Sequence, residues 1–275
     1  MVHKNLPTTT KIKLYLEKIR AISDFADNKI FALANTLSNL NNKQITMLKI
    51  YQRMNLLIDS VQCLNIYKHY QSVCAVARSA FEMIIDLRAL SIDNTGETLE
   101  RYLRFSQIEI YRWGKEVNKF YSEHPDLLMF DISTYKWWVE NPDIQEMIKQ
   151  SSEKYWPKAK DNLWKIQHWS DKRRRELCRY LDKNKPSGRE CYLRFEELFV
   201  MIYSRLSWFI HSGETGLMGF NQQINEIFVC DSLLNIEDIF CESTQIIARE
   251  IEVYELTNSM FDVLEEIDRK FNRIL

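Results

Sequence analysis

Between Ile12 and Leu40 apolar residues return at alternating steps of four and three: Ile12, Leu16, Ile19, Ala26, Ile30, Leu33, Leu37 and Leu40, with Ser23 as the one polar residue in the row. A seam of that period belongs to a helix lying along another helix, because it keeps one stripe facing a partner turn after turn. The spacing predicts a helix over about 11–40, capped by Thr10. Two partners fit it. One is the neighbouring helices of the same bundle; the other is a second copy, which would make residues 1–42 a dimerisation arm and the protein a homodimer.

The rest of the chain repeats the pattern in shorter pieces. Asn39, Asn41 and Asn42 mark a turn, after which Ile45, Leu48, Tyr51, Met54, Ile58 and Val61 predict a helix over about 44–67. A third, over 71–91, is apolar nearly all round except for Arg78, Glu82 and Asp86, which share one side at i, i+4 and i+8. A fourth, over 97–122, would turn Leu99, Leu103, Ile110 and Val117 inward and end at Pro125. Asn141 and Pro142 read as the cap and first residue of a short helix. Ser170 caps a basic helix over 171–181, a helix over about 190–211 ends in a loop holding Gly213, Gly216 and Gly219, and a last helix runs over about 236–271. Only residues 224–229 have the composition of a short strand. Six glycines and five prolines in 275 residues are too few for a turn-rich β fold. We read one all-α domain over 1–275, an antiparallel bundle of about seven to eight helices with 43–275 as its core.

Lys plus Arg (37) balances Asp plus Glu (38), so no global field draws in nucleic acid. The local basic run Lys172, Arg173, Arg174 and Arg175, with Trp169 just before it, has the residue types to follow an RNA backbone and stack a base; a solvated helix face has the same composition. No apolar run reaches the roughly 20 residues of a membrane span. Six cysteines without a C-x-x-C pair, and a start without a cleavable apolar segment, point to free thiols and a cytoplasmic protein. Phosphate-loop, dinucleotide, hydrolase-elbow and zinc-peptidase motifs are all missing, and the five histidines are scattered, so neither cofactor nor metal is expected.

What remains is a polar row. Tyr203, Ser207 and His211 stand four residues apart, on one side of a helix that stops in the glycine loop. At a helix C-terminus the dipole favours the imidazolium, while Trp208 and Phe209 favour the neutral ring, which leaves His211 able to act as a general acid or base. The bland alternative is that His211 caps its own helix.

Arg205 precedes His211 by six residues, and an arginine and histidine so spaced near the end of a late helix resemble the motif of the HEPN superfamily. The chain is also similar to an uncharacterised bacterial all-helical family in Arg-x-x-x-Glu (Arg78, Glu82), His-Trp-Ser (His168, Trp169, Ser170) and Tyr-x-x-x-Ser-x-x-x-His-Ser (Tyr203, Ser207, His211, Ser212). The first resemblance implies a metal-independent ribonuclease working as a dimer, such as a toxin or phage-defence effector, with His211 moving a proton and an arginine stabilising the phosphorane-like charge. Six residues span about 240° of an ideal helix beyond one full turn, so Arg78, held by Glu82, is the alternative to Arg205 as that arginine. Against the enzyme stands a non-catalytic helical binding or scaffolding protein, in which the Arg, Glu, Ser and His residues are a structural polar network.

Overall fold

The computed structural model describes residues 6–66, 69–127, 131–184, 193–206 and 222–272, and these contain helices and no strand. The chain is all-α. In order it forms α1 (Thr8–Phe25), α2 (Asn42–Asp59), α3 (Tyr70–Ile92), α4 (Glu97–Glu123), α5 (Ser133–Glu140), α6 (Pro142–Tyr155), α7 (Arg174–Lys183), α8 (Phe195–Leu198), α9 (Gln222–Glu250) and α10 (Thr257–Asn272). Two compact units result, one of Met1–Ile92 with Cys178–Leu275, the other of Asp93–Leu177.

In the first unit α9 packs along α1, α2 and α3, and α1 also packs on α10. The seam residues Ile12, Ile19, Ala26 and Ile30 are buried in this core, so the row of the first helix is covered by the chain itself. Thr10 is not its cap, since the helix begins directly after Pro7. Nor does the helix reach Leu40. A π-turn over Ala26–Phe31 widens one turn and rotates the row that follows, helix ends at Ala34, and Leu37 is exposed. By contrast α2 starts as its sequence dictates, with Asn41 and Gln44 forming a reciprocal capping box.

The helix α3, packed on α2 and α9, presents Val73, Ala77, Ala80 and Ile84, all buried, to the core. On α9 the buried Val229, Leu233, Ile236, Phe240 and Ile247 are interrupted by equally buried hydroxyls. Ser243 Oγ and Thr244 Oγ1 donate back to the carbonyls of Ile239 and Phe240, at 2.7 and 2.8 Å, which lets them sit there satisfied. Arg88 of α3 and Glu242 of α9 form a fully buried salt bridge. Residues 224–229 are helical, which corrects the strand reading. The last predicted helix is two, because Glu252 adopts a left-handed backbone (φ 60°) and ends α9, with the Val253 amide closing on the Ala248 carbonyl at 2.7 Å.

The second unit has its own core, formed by Ile108 and Tyr111 of α4, Ile144, Ile148 and Tyr155 of α6, and Trp156 and Ile166 of the irregular segment beyond. Asp93 organises its entry: one carboxylate oxygen accepts from Thr95 N and Oγ1, the other from the Thr98 amide. Asn141 caps α6 as expected, accepting from the Asp143 amide at 2.9 Å. The inner face of α4 is not the predicted one: Leu103 and Ile110 are 41% and 44% exposed, and Ile108, Tyr111 and Gly114 face inward instead. The helix carries two apolar stripes, and close approach selects between them. A Cβ at position 114 would lie 2.7 Å from Val139 Cγ2, so α5 can pack there only on glycine.

Candidate functional site

Three of the sequence-predicted residues meet in the first unit. Arg78 and Glu82 occupy successive turns of α3, and Tyr203 arrives from a π-turn, Phe199–Tyr203, that continues α8. Tyr203 Oη donates to Glu82 Oε1 at 2.7 Å and accepts from Arg78 Nη2 at 3.2 Å. Arg78 Nε lies 3.6 Å from the same Glu82 oxygen, and its guanidinium carbon stands 5.0 Å from the centroid of the Tyr203 ring. The ring is wedged between Phe199, stacked at 5.3 Å, and Phe81 at 5.5 Å. Thus the phenol is buried and fixed, while the arginine side chain keeps 23% of its surface exposed. Its Nη1 makes no hydrogen bond among the described residues, so an oriented guanidinium retains donors at the surface.

Arg205 does not join this cluster. Its Nη2 donates to Asp231 Oδ2 of α9 at 3.1 Å, and its guanidinium lies 4.8 Å from the Phe228 ring centroid, as the angular offset from the Tyr203 row requires. Ser207 and His211 lie outside the described residues. So the structure brings together Arg78, Glu82 and Tyr203 and directs Arg205 elsewhere.

The nucleic-acid candidates belong to the second unit. Lys172, Arg173 and Arg175 are exposed and Arg174 is half-buried. Their helix starts at Arg174 rather than Asp171, because Asp171 takes a left-handed backbone (φ 53°) and a turn precedes it. In that turn His168 Nδ1 bonds Ser170 Oγ at 2.8 Å, and Ser170 Oγ accepts from the Lys172 amide at 3.3 Å. The His-Trp-Ser triplet is therefore a turn motif. Trp169, expected to stack a base, is 5% exposed and packs edge-on to Tyr102 at 6.0 Å; a buried ring offers no platform to a nucleotide.

Sequence reasoning missed a second polar set in the first unit. Lys18 Nζ of α1 lies 2.9 Å from Glu237 Oε1 of α9 and 2.8 Å from Asp268 Oδ1 of α10. The only signal was a lysine between the apolar seam positions Leu16 and Ile19. Among the described residues no group of three or more His, Cys, Asp or Glu side chains is placed to hold a metal ion, and no helix is long and apolar enough to cross a membrane.

Residues 44–226, most of the chain and all three residues of the cluster, match the model of a family described as a family of unknown function (DUF5677). No curated protein and no solved structure matches.

Proposed function

The chain belongs to this family of unknown function, and on its own geometry we propose that it is a HEPN-like metal-independent ribonuclease whose anion-binding group is Arg78. The observation that carries the reading is the Arg78 guanidinium, oriented by Glu82 and Tyr203 yet holding unbonded donors at the surface. Such a fork suits the non-bridging oxygens of a phosphodiester. The ribose 2′-oxygen attacks the adjacent phosphorus, the bond to the 5′-oxygen breaks, and the products are a 2′,3′-cyclic phosphate and a 5′-hydroxyl. His211 takes the 2′-hydroxyl proton or supplies one to the leaving oxygen, and Arg78 stabilises the charge that gathers on the phosphorane. Lys172, Arg173 and Arg175 are the residues offered to the RNA backbone. A toxin or phage-defence effector in the cytoplasm is the role that suits this activity. A homodimer of such an enzyme would form through surfaces other than the buried α1 seam.

One observation favours the scaffolding alternative: Tyr203 Oη is hydrogen-bonded on both sides, as in a network that fixes helix register. The two readings separate on incubating the purified protein with total RNA in EDTA beside Arg78→Ala and His211→Ala. Cleavage by the wild type that both variants lose, at unchanged melting temperature, supports the ribonuclease. No cleavage, with several degrees of Tm lost in both variants, sinks it and leaves the scaffold.

A further inference from the structure

The first unit contains a cavity of about 660 Å³ lined by residues of α1, α9 and α10, a volume suited to a small organic molecule. Charge is unevenly met inside it. Lys18 is shared between Glu237 and Asp268. Asp238, exposed to the cavity, makes no hydrogen bond or ion pair among the described residues. Glu237, whose side chain is only 9% exposed, engages Lys18 through Oε1, and its Oε2 accepts no hydrogen bond among the described residues. Two carboxylates therefore share one ammonium, and a third stands in the same lining without an ion pair.

The other cation of the lining among the described residues does not redress this. Arg249 donates to Gln245 at 3.2 Å and lies 4.5 Å from the Tyr254 ring centroid. Burial pushes the Glu237 carboxyl up to about 7 against the opposing pull of Lys18, and partial desolvation within the cavity raises the carboxyl of the more exposed Asp238. Carboxylates in that condition gain from any further positive charge brought beside them. Beside the polar Gln245, Asn258 and Glu265, the lining has an apolar and aromatic stretch, Tyr254, Phe261 and Leu264, that would cover methylene groups or the face of a cation.

We propose that this cavity binds a small organic cation, an alkylammonium of the polyamine class, with a nitrogen held by Glu237 and Asp238 and its methylene chain against Phe261 and Leu264. A divalent metal is the poorer fit, because no three ligating groups converge among the described residues. An ammonium needs only acceptors and an apolar wall. The site stands apart from the ribonuclease reading, since Arg78, Glu82 and Tyr203 are not among its lining residues.

Isothermal titration calorimetry at pH 8 with spermidine, cadaverine and magnesium chloride tests this on the full chain. Saturable binding of an amine is expected, weakened roughly tenfold or more by Asp238→Asn, which removes a charge-assisted acceptor. Asp238 makes no hydrogen bond or ion pair among the described residues and its charge is disfavoured where it stands, so that variant keeps or gains melting temperature, and loss of binding cannot be loss of fold. Phe261→Ala weakens binding too. Affinity falls from pH 8 to pH 5.5 as Asp238 and Glu237, faced by Lys18 of α1 and Asp268 of α10, take up protons. No saturable heat with either amine at millimolar concentration, magnesium binding as tightly as spermidine, or amine binding unchanged in both variants would each overturn the proposal.

Discussion

The Arg78 cluster and the Lys18 cavity are built from the same parts, a cation with carboxylates beside it, on its own helix for Arg78 and on two other helices for Lys18, and they come out opposite in sign. At Arg78 one guanidinium meets one carboxylate through a phenol, at a half-exposed position, and the cation has donors to spare. At Lys18 one ammonium is shared by two carboxylates with a third in the same lining, and the carboxyls of Glu237 and Asp238 are both raised. Solvent near the first set screens its charges, whereas the second stores an electrostatic load in the folded state. On that difference rest the anion proposed at the first set and the cation proposed at the second.

That contrast breaks most visibly at the salt bridge behind the cavity. Arg88→Ala removes the buried cation beside Glu242, and should lower the unfolding free energy by about 3–5 kcal/mol in urea titrations. Next comes pH. Glu237 holds its proton to about 7 in the folded state, above its ordinary value of 4.5. The stabilisation that proton provides is complete below the lower value and is lost as pH rises through the higher one. Unfolding free energy should therefore fall by about 2 kcal/mol between pH 5 and pH 8, and Glu237→Gln should flatten that fall. Tyr203→Phe sharpens the other side of the comparison: it removes the hydroxyl between Arg78 and Glu82, should cost about 1 kcal/mol, and, on the ribonuclease proposal, should slow RNA cleavage by letting the guanidinium turn. The smallest effect belongs to Arg205→Ala. Its ion pair with Asp231 is more than a third exposed on both sides, so about 0.5 kcal/mol is expected, with cleavage unchanged.

Periodicity made the helices legible where one face alone is apolar or where a cap is explicit, as at Asn41 and Asn141. It misled where a helix has two apolar stripes. In α4 the choice between Leu103–Ile110 and Ile108–Tyr111 rests on Gly114, whose missing side chain matters only once α5 is in place. A π-turn is equally silent in the sequence, and it ended the row of α1 early. The Arg78–Glu82 pair could be read because it is local, and Tyr203 because its row pointed to a partner across the core. Lys18 and Glu237 could not, because they stand at opposite ends of the chain and each interrupts a row that otherwise reads as plain core.

Chain order gives the core of the first unit a timetable. The apolar face of α3, with Val73, Ala77, Ala80 and Ile84, is buried against α9, yet the whole second unit and α7 are encoded between them. A ribosome adds about 5–20 residues per second, so the roughly 130 residues from Ile92 to Gln222 keep the nascent α3 waiting on the order of ten seconds. During synthesis the second unit, contiguous in sequence, can complete its own core first, while the apolar face of α3 stays uncovered by α9 until the C-terminal part emerges.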